Sequence, residues 1–269
     1  MRNDILIDGV KKFRIWQEKH LAMKKNNIES IVSRSIKELG ETDWYSNLHC
    51  FRFCDLITKV EALLPHGSKG LEVGCWPGYL GSALQFAGYD IVGIDLKKNS
   101  LSGFNFDIAK LDLNVDPLPM ADNFFDFVTF SEVLEHLKER RVSKIFAEIK
   151  RVLKPSGILF VTTPNRLRLG SRFGRIENFP DGFGHGHERE YSVSEIKGMA
   201  ANAGFDLIEA KTISFYAGVG REDGKRYFYP LTAFLRHSNK RRNFAKLLAY
   251  PFIKYVPQWR DSTFLILKK

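Results

Sequence analysis

Leu71-Glu72-Val73-Gly74-Cys75-Trp76-Pro77-Gly78-Tyr79-Leu80 is the stretch on which the fold of this 269-residue chain turns. Gly70 to Val73 reads as a short apolar strand, and Tyr79 to Ala87 as a helix closed by Gly88. Between them lies a turn with glycine at both ends. Gly74 and Gly78 remove side chains where backbone must take positive φ or approach a ligand closely. A strand that feeds through such a turn into a helix is a building unit of open α/β sheets. Ligands in those sheets bind beyond the carboxyl ends of the strands.

The pattern continues on both sides. Upstream, residues 1–66 carry apolar residues at helical spacing and stop at Pro65–Gly67. Downstream, Asp90–Asp95 reads as a second strand, Phe106–Asp112 as a weaker third and Phe125–Phe130 as a strong fourth. In Glu139–Leu153 the residues Val142, Ile145, Phe146, Ile149, Val152 and Leu153 fall on one helical face, and Pro155 and Gly157 are expected to end the helix. Ile158–Thr162 follows as a fifth strand, then a long Gly/Arg-rich loop through Gly186. Ser192–Ala203 begins with a capping box of Ser192 and Glu195. Phe205–Thr212 and Thr263–Leu267 complete seven strands. Strands alternating with helices imply a mostly parallel α/β sheet with helices on both faces.

The chemistry sits at the strand ends. A dinucleotide fingerprint G-x-G-x-x-G from Gly74 would need glycine at 76 and 79, where Trp76 and Tyr79 stand, which argues against a nicotinamide-dependent oxidoreductase. Asp95 ends the second strand, where an acid can accept both hydroxyls of a ribose. Lys110-Leu111-Asp112-Leu113-Asn114 precedes Asp116-Pro117-Leu118-Pro119-Met120-Ala121-Asp122-Asn123-Phe124-Phe125-Asp126-Phe127-Val128; Ser131-Glu132-Val133-Leu134-Glu135-His136-Leu137 and Leu153-Lys154-Pro155-Ser156-Gly157 follow. With the E-x-G-x-x-x-G turn, these stretches resemble the type 11 branch of class I S-adenosylmethionine-dependent methyltransferases, over about residues 50–213 and 260–269.

That resemblance implies a Rossmann-like fold and S-adenosyl-L-methionine as cofactor. By the same resemblance, Glu72 and the turn through Gly74, Cys75, Trp76 and Gly78 hold the methionine part. Asp95 and Leu96 match the ribose site, Asp112 the acceptor of the adenine amino group, and Leu113 the residue beside the ring. Ser131 matches the position where the fourth strand passes close to the sulfonium. Trp76 departs from the pattern, which has glycine there: its ring either crowds the cofactor or shields its methionine end. A degenerate module that binds cofactor without catalysis is the non-enzymatic alternative, and the intact Asp95 and Asp112 argue against it.

The donor methyl is activated by its positive sulfur, so the protein must align the acceptor and take up a proton from it. His136, after the fourth strand, and His187, after the fifth, are the two candidate bases. Either could instead be a structural histidine. Glu132, Glu135 and His136 would share one face if a helix began there, and with His187 they would form a two-carboxylate, two-imidazole set for a divalent ion. Similar sets occur in ubiquinone-pathway O-methyltransferases and in enzymes that methylate small-RNA 3′ ends. Many type 11 relatives carry Glu-x-x-Glu-His without a metal, and no metal ligand is assigned here.

Residues 214–259 are expected to form a lid insertion between the last two strands, with residues 1–66 a helical cap and 67–213 plus 260–269 the cofactor-binding domain. From Val219 to Lys254 nine Lys/Arg face only Glu222 and Asp223, interleaved with aromatics such as Tyr227, Phe228, Tyr229 and Phe244. The net charge of +10 is thus concentrated there. Such a segment suits an acceptor lid first, a peripheral contact with an anionic membrane surface second, and nucleic acid least. The loop His-x-Arg-Glu before Tyr191-Ser192 and the tail Trp259–Phe264 loosely resemble methyltransferases of cell-surface glycan and lipid pathways, so the expected acceptor is a hydroxyl on a small molecule, sugar or lipid-linked precursor. Cys50, Cys54 and Cys75 make no disulfide framework. No apolar run suits a signal peptide or a membrane span, and a cytoplasmic enzyme is expected.

Overall fold

Residues 27–39, 43–96, 108–168, 186–213, 255–260 and 262–269 are described by a computed structural model of the chain. Helix α1 covers 27–38 and α2 Asp43–Leu63. The alternating core then runs β1 (Lys69–Val73), α3 (Tyr79–Phe86), β2 (Asp90–Asp95), β3 (Ile108–Lys110), β4 (Phe125–Ser131), α4 (Glu139–Val152), β5 (Leu153–Pro164), α5 (Val193–Asn202), β6 (Asp206–Ile213) and β7 (Ser262–Lys268). The sheet order is β3-β2-β1-β4-β5-β7-β6. β1 to β5 pair in parallel, while β7 runs antiparallel to both β5 and β6. This is the seven-stranded, mostly parallel Rossmann-like sheet that the alternation implies.

Period-two side-chain alternation in the central strands supplies two cores, one on each face. Leu159 and Val161 of β5 and Leu265 and Leu267 of β7 join the apolar face of α4 and Ile196 of α5. Ile158, Phe160, Phe264 and Ile266 point the other way, against Phe53, Leu56, Ile57 and Val60 of α2 and Leu80 and Leu84 of α3. The helices that precede β1 therefore close one face of the sheet and share its core.

Three local expectations are corrected. Among the described residues the third strand covers Ile108–Lys110, with Phe106 and Asp107 of the expected strand outside them; it ends before Asp112, whose carboxylate turns back onto the Asn114 amide (2.9 Å). The fourth helix stops at Val152, and the buried Leu153 already pairs with Phe125, so β5 begins before Pro155 rather than after Gly157. The segment at Glu132 is not the start of a helix: Glu132 has φ 56°, and only a 3₁₀ turn, Leu134–His136, follows. The lid expected over 214–259 lies mostly outside the described residues. Of that segment residues 255–259 are described, and there Pro257–Trp259 forms a 3₁₀ turn whose Pro257 carbonyl accepts the Thr212 hydroxyl.

Candidate active site

The sheet order lines up the ends of β3, β2, β1 and β4, so Asp112, Asp95, Gly74 and Ser131 succeed one another along one edge. At ~4.8 Å per strand the row is ~14 Å long. Gly74 (φ 77°) and Gly78 (φ 93°) bracket the central turn. A Cβ on Gly74 would lie 2.1 Å from Val133 Cγ2, so glycine is required both by conformation and by the approach of the β4 loop. Gly78 caps α3 in a left-handed conformation. The turn is held from the side by Asp95, whose Oδ2 accepts the Trp76 backbone N–H at 2.9 Å. One Asp95 oxygen thus shapes the turn, and the carboxylate keeps acceptor capacity beside it.

A cavity opens above this turn, lined by Glu72, Gly74, Cys75, Trp76, Gly78 and Ser131 of the residues singled out from the sequence. The structure also adds Arg52 and Glu132 to its lining. Asp95, Leu96, Asp112 and Leu113 do not line it; Leu96 is exposed and Leu113 is buried in the core on the α4 side. Ser131 Oγ is fixed by Thr162 Oγ1 at 2.7 Å. Glu72 is buried, and loss of solvation, reinforced by the Asp95 charge, raises its pKa well above the usual carboxylate range. Its Oε2 and Glu132 Oε1 are buried without a hydrogen-bond partner among the described residues. Burial likewise raises the Cys75 thiol, which keeps it protonated and makes it a packing group.

Arg52 was not anticipated. It projects from α2 with its side chain 2% exposed and lies 3.1 Å from Glu132 Oε2. Its helical spacing looks like that of any core-facing residue. Only docking of α2 on the sheet shows that a guanidinium reaches the cofactor edge.

The histidines meet one strand further along, beyond β4 and β5. Their rings pack edge to face with centroids 5.0 Å apart. His187 Nδ1 lies 3.1 Å from Glu190 Oε1, and the other Glu190 oxygen pairs with Arg168. Glu190 is buried and was also missed, since Glu188-Arg189-Glu190 reads as a solvated charge cluster. Burial pushes the Glu190 carboxyl up, but His187 and Arg168 outweigh it and hold it below its usual range. His136 Nδ1 approaches Gly186 O at 3.4 Å.

Glu135 is buried, accepts the Thr163 hydroxyl at 2.8 Å, and is pushed up to about 8 by burial and then by the Glu132 charge. Donor atoms of Glu135, His136 and His187 all lie within 4.8 Å of one another. Of the four-residue set considered for a divalent ion, three come together, and Glu132 turns instead to Arg52.

The family model for the methyltransferase domain matches residues 48–210. A probable S-adenosylmethionine-dependent methyltransferase of Mycolicibacterium smegmatis is 26% identical over 196 residues, 71% of each chain. A ubiquinone biosynthesis O-methyltransferase of Hydrogenovibrio crunogenus is 31% identical over 204 residues, covering 71% of this chain and 82% of that one. Two Mycobacterium tuberculosis relatives are matched over 47% of their length. The crystal structure of a methyltransferase from Archaeoglobus fulgidus superposes with TM-score 0.56 at 15% identity, covering 85% of this chain and 100% of that one, and shows the shared fold. The chain belongs to the class I S-adenosylmethionine-dependent methyltransferases. It is an enzyme, and S-adenosylmethionine is its cofactor.

Proposed function

We propose that the enzyme transfers the methyl group to a hydroxyl of a small-molecule, sugar or lipid-linked acceptor, with His187 as general base. The edge residues fit the cofactor. Asp112, Leu113, Asp95 and Leu96 would take the adenosine, and the glycine turn with Ser131 would take the sulfur end. Arg52 offers a buried cation to the methionine carboxylate, and Glu72 Oε2 is a buried acceptor suited to the methionine ammonium. The bound cofactor supplies a methyl group on a cationic sulfur, so the chain's own residues need only orient an acceptor and take its proton.

The pairing of His187 with the buried Glu190 carries the base assignment. A carboxylate on Nδ1 orients the ring and stabilises the imidazolium that forms when the other nitrogen takes a proton. The Glu190 bond raises the His187 pKa above its usual 6.5, against the opposing effect of burial, with Glu135 adding to the rise. The base must be unprotonated to act, so the rate should rise with pH through a midpoint above 6.5. The name of the ubiquinone-pathway relatives, O-methyltransferases, favours a hydroxyl over other nucleophiles.

The test is a screen of phenols, sugars and lipid-linked hydroxyl compounds with methyl-labelled cofactor. On any acceptor found, His187→Gln should lower kcat ~10²-fold and leave S-adenosylhomocysteine affinity unchanged. A variant with wild-type kcat would remove His187 from the reaction. The basic segment 214–259 as acceptor lid and anionic-surface contact belongs to the same proposal; it is supported by its charge and its place before β7.

A further inference from the structure

Arg52 and Glu132 form an ion pair inside the cofactor cavity. A buried guanidinium needs a counter-charge. Glu72 is a poor one, because its own burial drives it towards the neutral form. Among the described residues Glu132 is a charged group placed to serve, 3.1 Å from Arg52 Nη1, but the fit is partial: the contact lacks hydrogen-bond geometry at Nη1, and the second oxygen, Oε1, is buried with no hydrogen-bond partner among the described residues. The backbone beneath is constrained. Glu132 takes φ 56°, a left-handed conformation that is strained for a non-glycine residue, and its N–H is tied to Thr162 O at 2.8 Å. On its other side lie the acceptor-side groups, and the Glu132 charge already acts on both Glu135 and His187.

We propose that Glu132 is a resident stand-in for the carboxylate of the cofactor's methionine end: it neutralises Arg52 in the cofactor-free enzyme and yields that position when the ligand's carboxylate arrives. The displaced side chain moves towards Glu135 and His187, so the negative charge felt at the acceptor site grows when cofactor binds. This rests on the placement of the methionine end at Arg52 proposed above. It predicts a binding order, cofactor before acceptor, and a penalty on cofactor affinity that is specific to ligands carrying a carboxylate.

Calorimetry on the full chain with two probes tests it. S-adenosylhomocysteine carries the amino-acid end; 5′-methylthioadenosine keeps the adenosine and the thioether but lacks the carboxylate. The wild type should bind the first more tightly. Glu132→Gln removes the competing charge with little change of shape, and should tighten S-adenosylhomocysteine three- to tenfold while leaving methylthioadenosine unchanged. Glu132→Asp, which withdraws the carboxylate by one methylene, should shift the ratio the same way and serves if the glutamine variant folds poorly. In an Arg52→Met background the Glu132 substitution should have no effect on the ratio. Equal shifts for both probes, or weaker S-adenosylhomocysteine binding in Glu132→Gln, would overturn the exchange. Wild-type binding of both probes with equal affinity would overturn it while leaving the cofactor intact, and binding of neither would instead bring down the cofactor placement itself.

Discussion

Trp76 stands where the resemblance leads one to expect glycine, and its effect depends on which of its atoms act on the site. The backbone N–H donates to Asp95 and pins the turn, and the residue also lines the cavity. Glycine would keep that N–H. Trp76→Gly should therefore leave S-adenosylhomocysteine affinity within about tenfold, or ~1.4 kcal/mol, by calorimetry. A much tighter variant would show that the indole crowds the site. The same distinction explains why Glu190 and Arg52 escaped notice in the sequence. A Glu in a charge cluster reads as solvated and an Arg at helical spacing reads as any core-facing residue, and nothing local reports that one is buried beside His187 and the other between α2 and the sheet.

At the scale of elements, caps and turns were legible where the interaction is local. The Ser192–Glu195 box forms as its spacing implies: Glu195 N–H donates to Ser192 Oγ, and Glu195 Oε2 accepts the Ser192 N–H at 2.8 Å. Burial raises the Glu195 carboxyl, but the Ser192 bonds and the guanidinium of Arg189, with Arg166 beside it, hold it down at about 2. A depressed carboxyl contributes stability above its unfolded value of ~4.3 and loses it as pH falls towards 2. Glu195→Gln keeps the box geometry and removes the charge. Its stability deficit, ~1 kcal/mol by urea unfolding at pH 7, should shrink below pH 4 and vanish near pH 2. A deficit that does not change with pH would mean that the charge is not its source. The helix end at Val152 was less legible, since Pro155 and Gly157 are breaker residues, yet pairing of Leu153 with Phe125 set the boundary.

For the whole molecule, the net charge of +10 and its concentration between Val219 and Lys254 predict binding to anionic vesicles that weakens with salt. The Debye length falls from ~10 Å at 0.1 M to ~3 Å at 1 M, so sedimentation with anionic liposomes should be lost over that range. No binding at low salt would remove the membrane contact and leave the lid reading to stand alone. Among the described residues no helix is long and apolar enough to cross a membrane. From the sequence by itself came the α/β alternation, the glycine turn, the acids at the ends of β2 and β3, and the two histidines, because hydrophobic period, positive-φ glycines and strand-end acids act within a few residues. Tertiary structure alone decided the rest. The order β3-β2-β1-β4 turns scattered acids and glycines into one row. The docking of α2 brings Arg52 to Glu132 across 80 residues, and the loop after β5 seats Glu190 under His187. Each contact joins polar groups at least one of which is buried, and no local pattern records that burial.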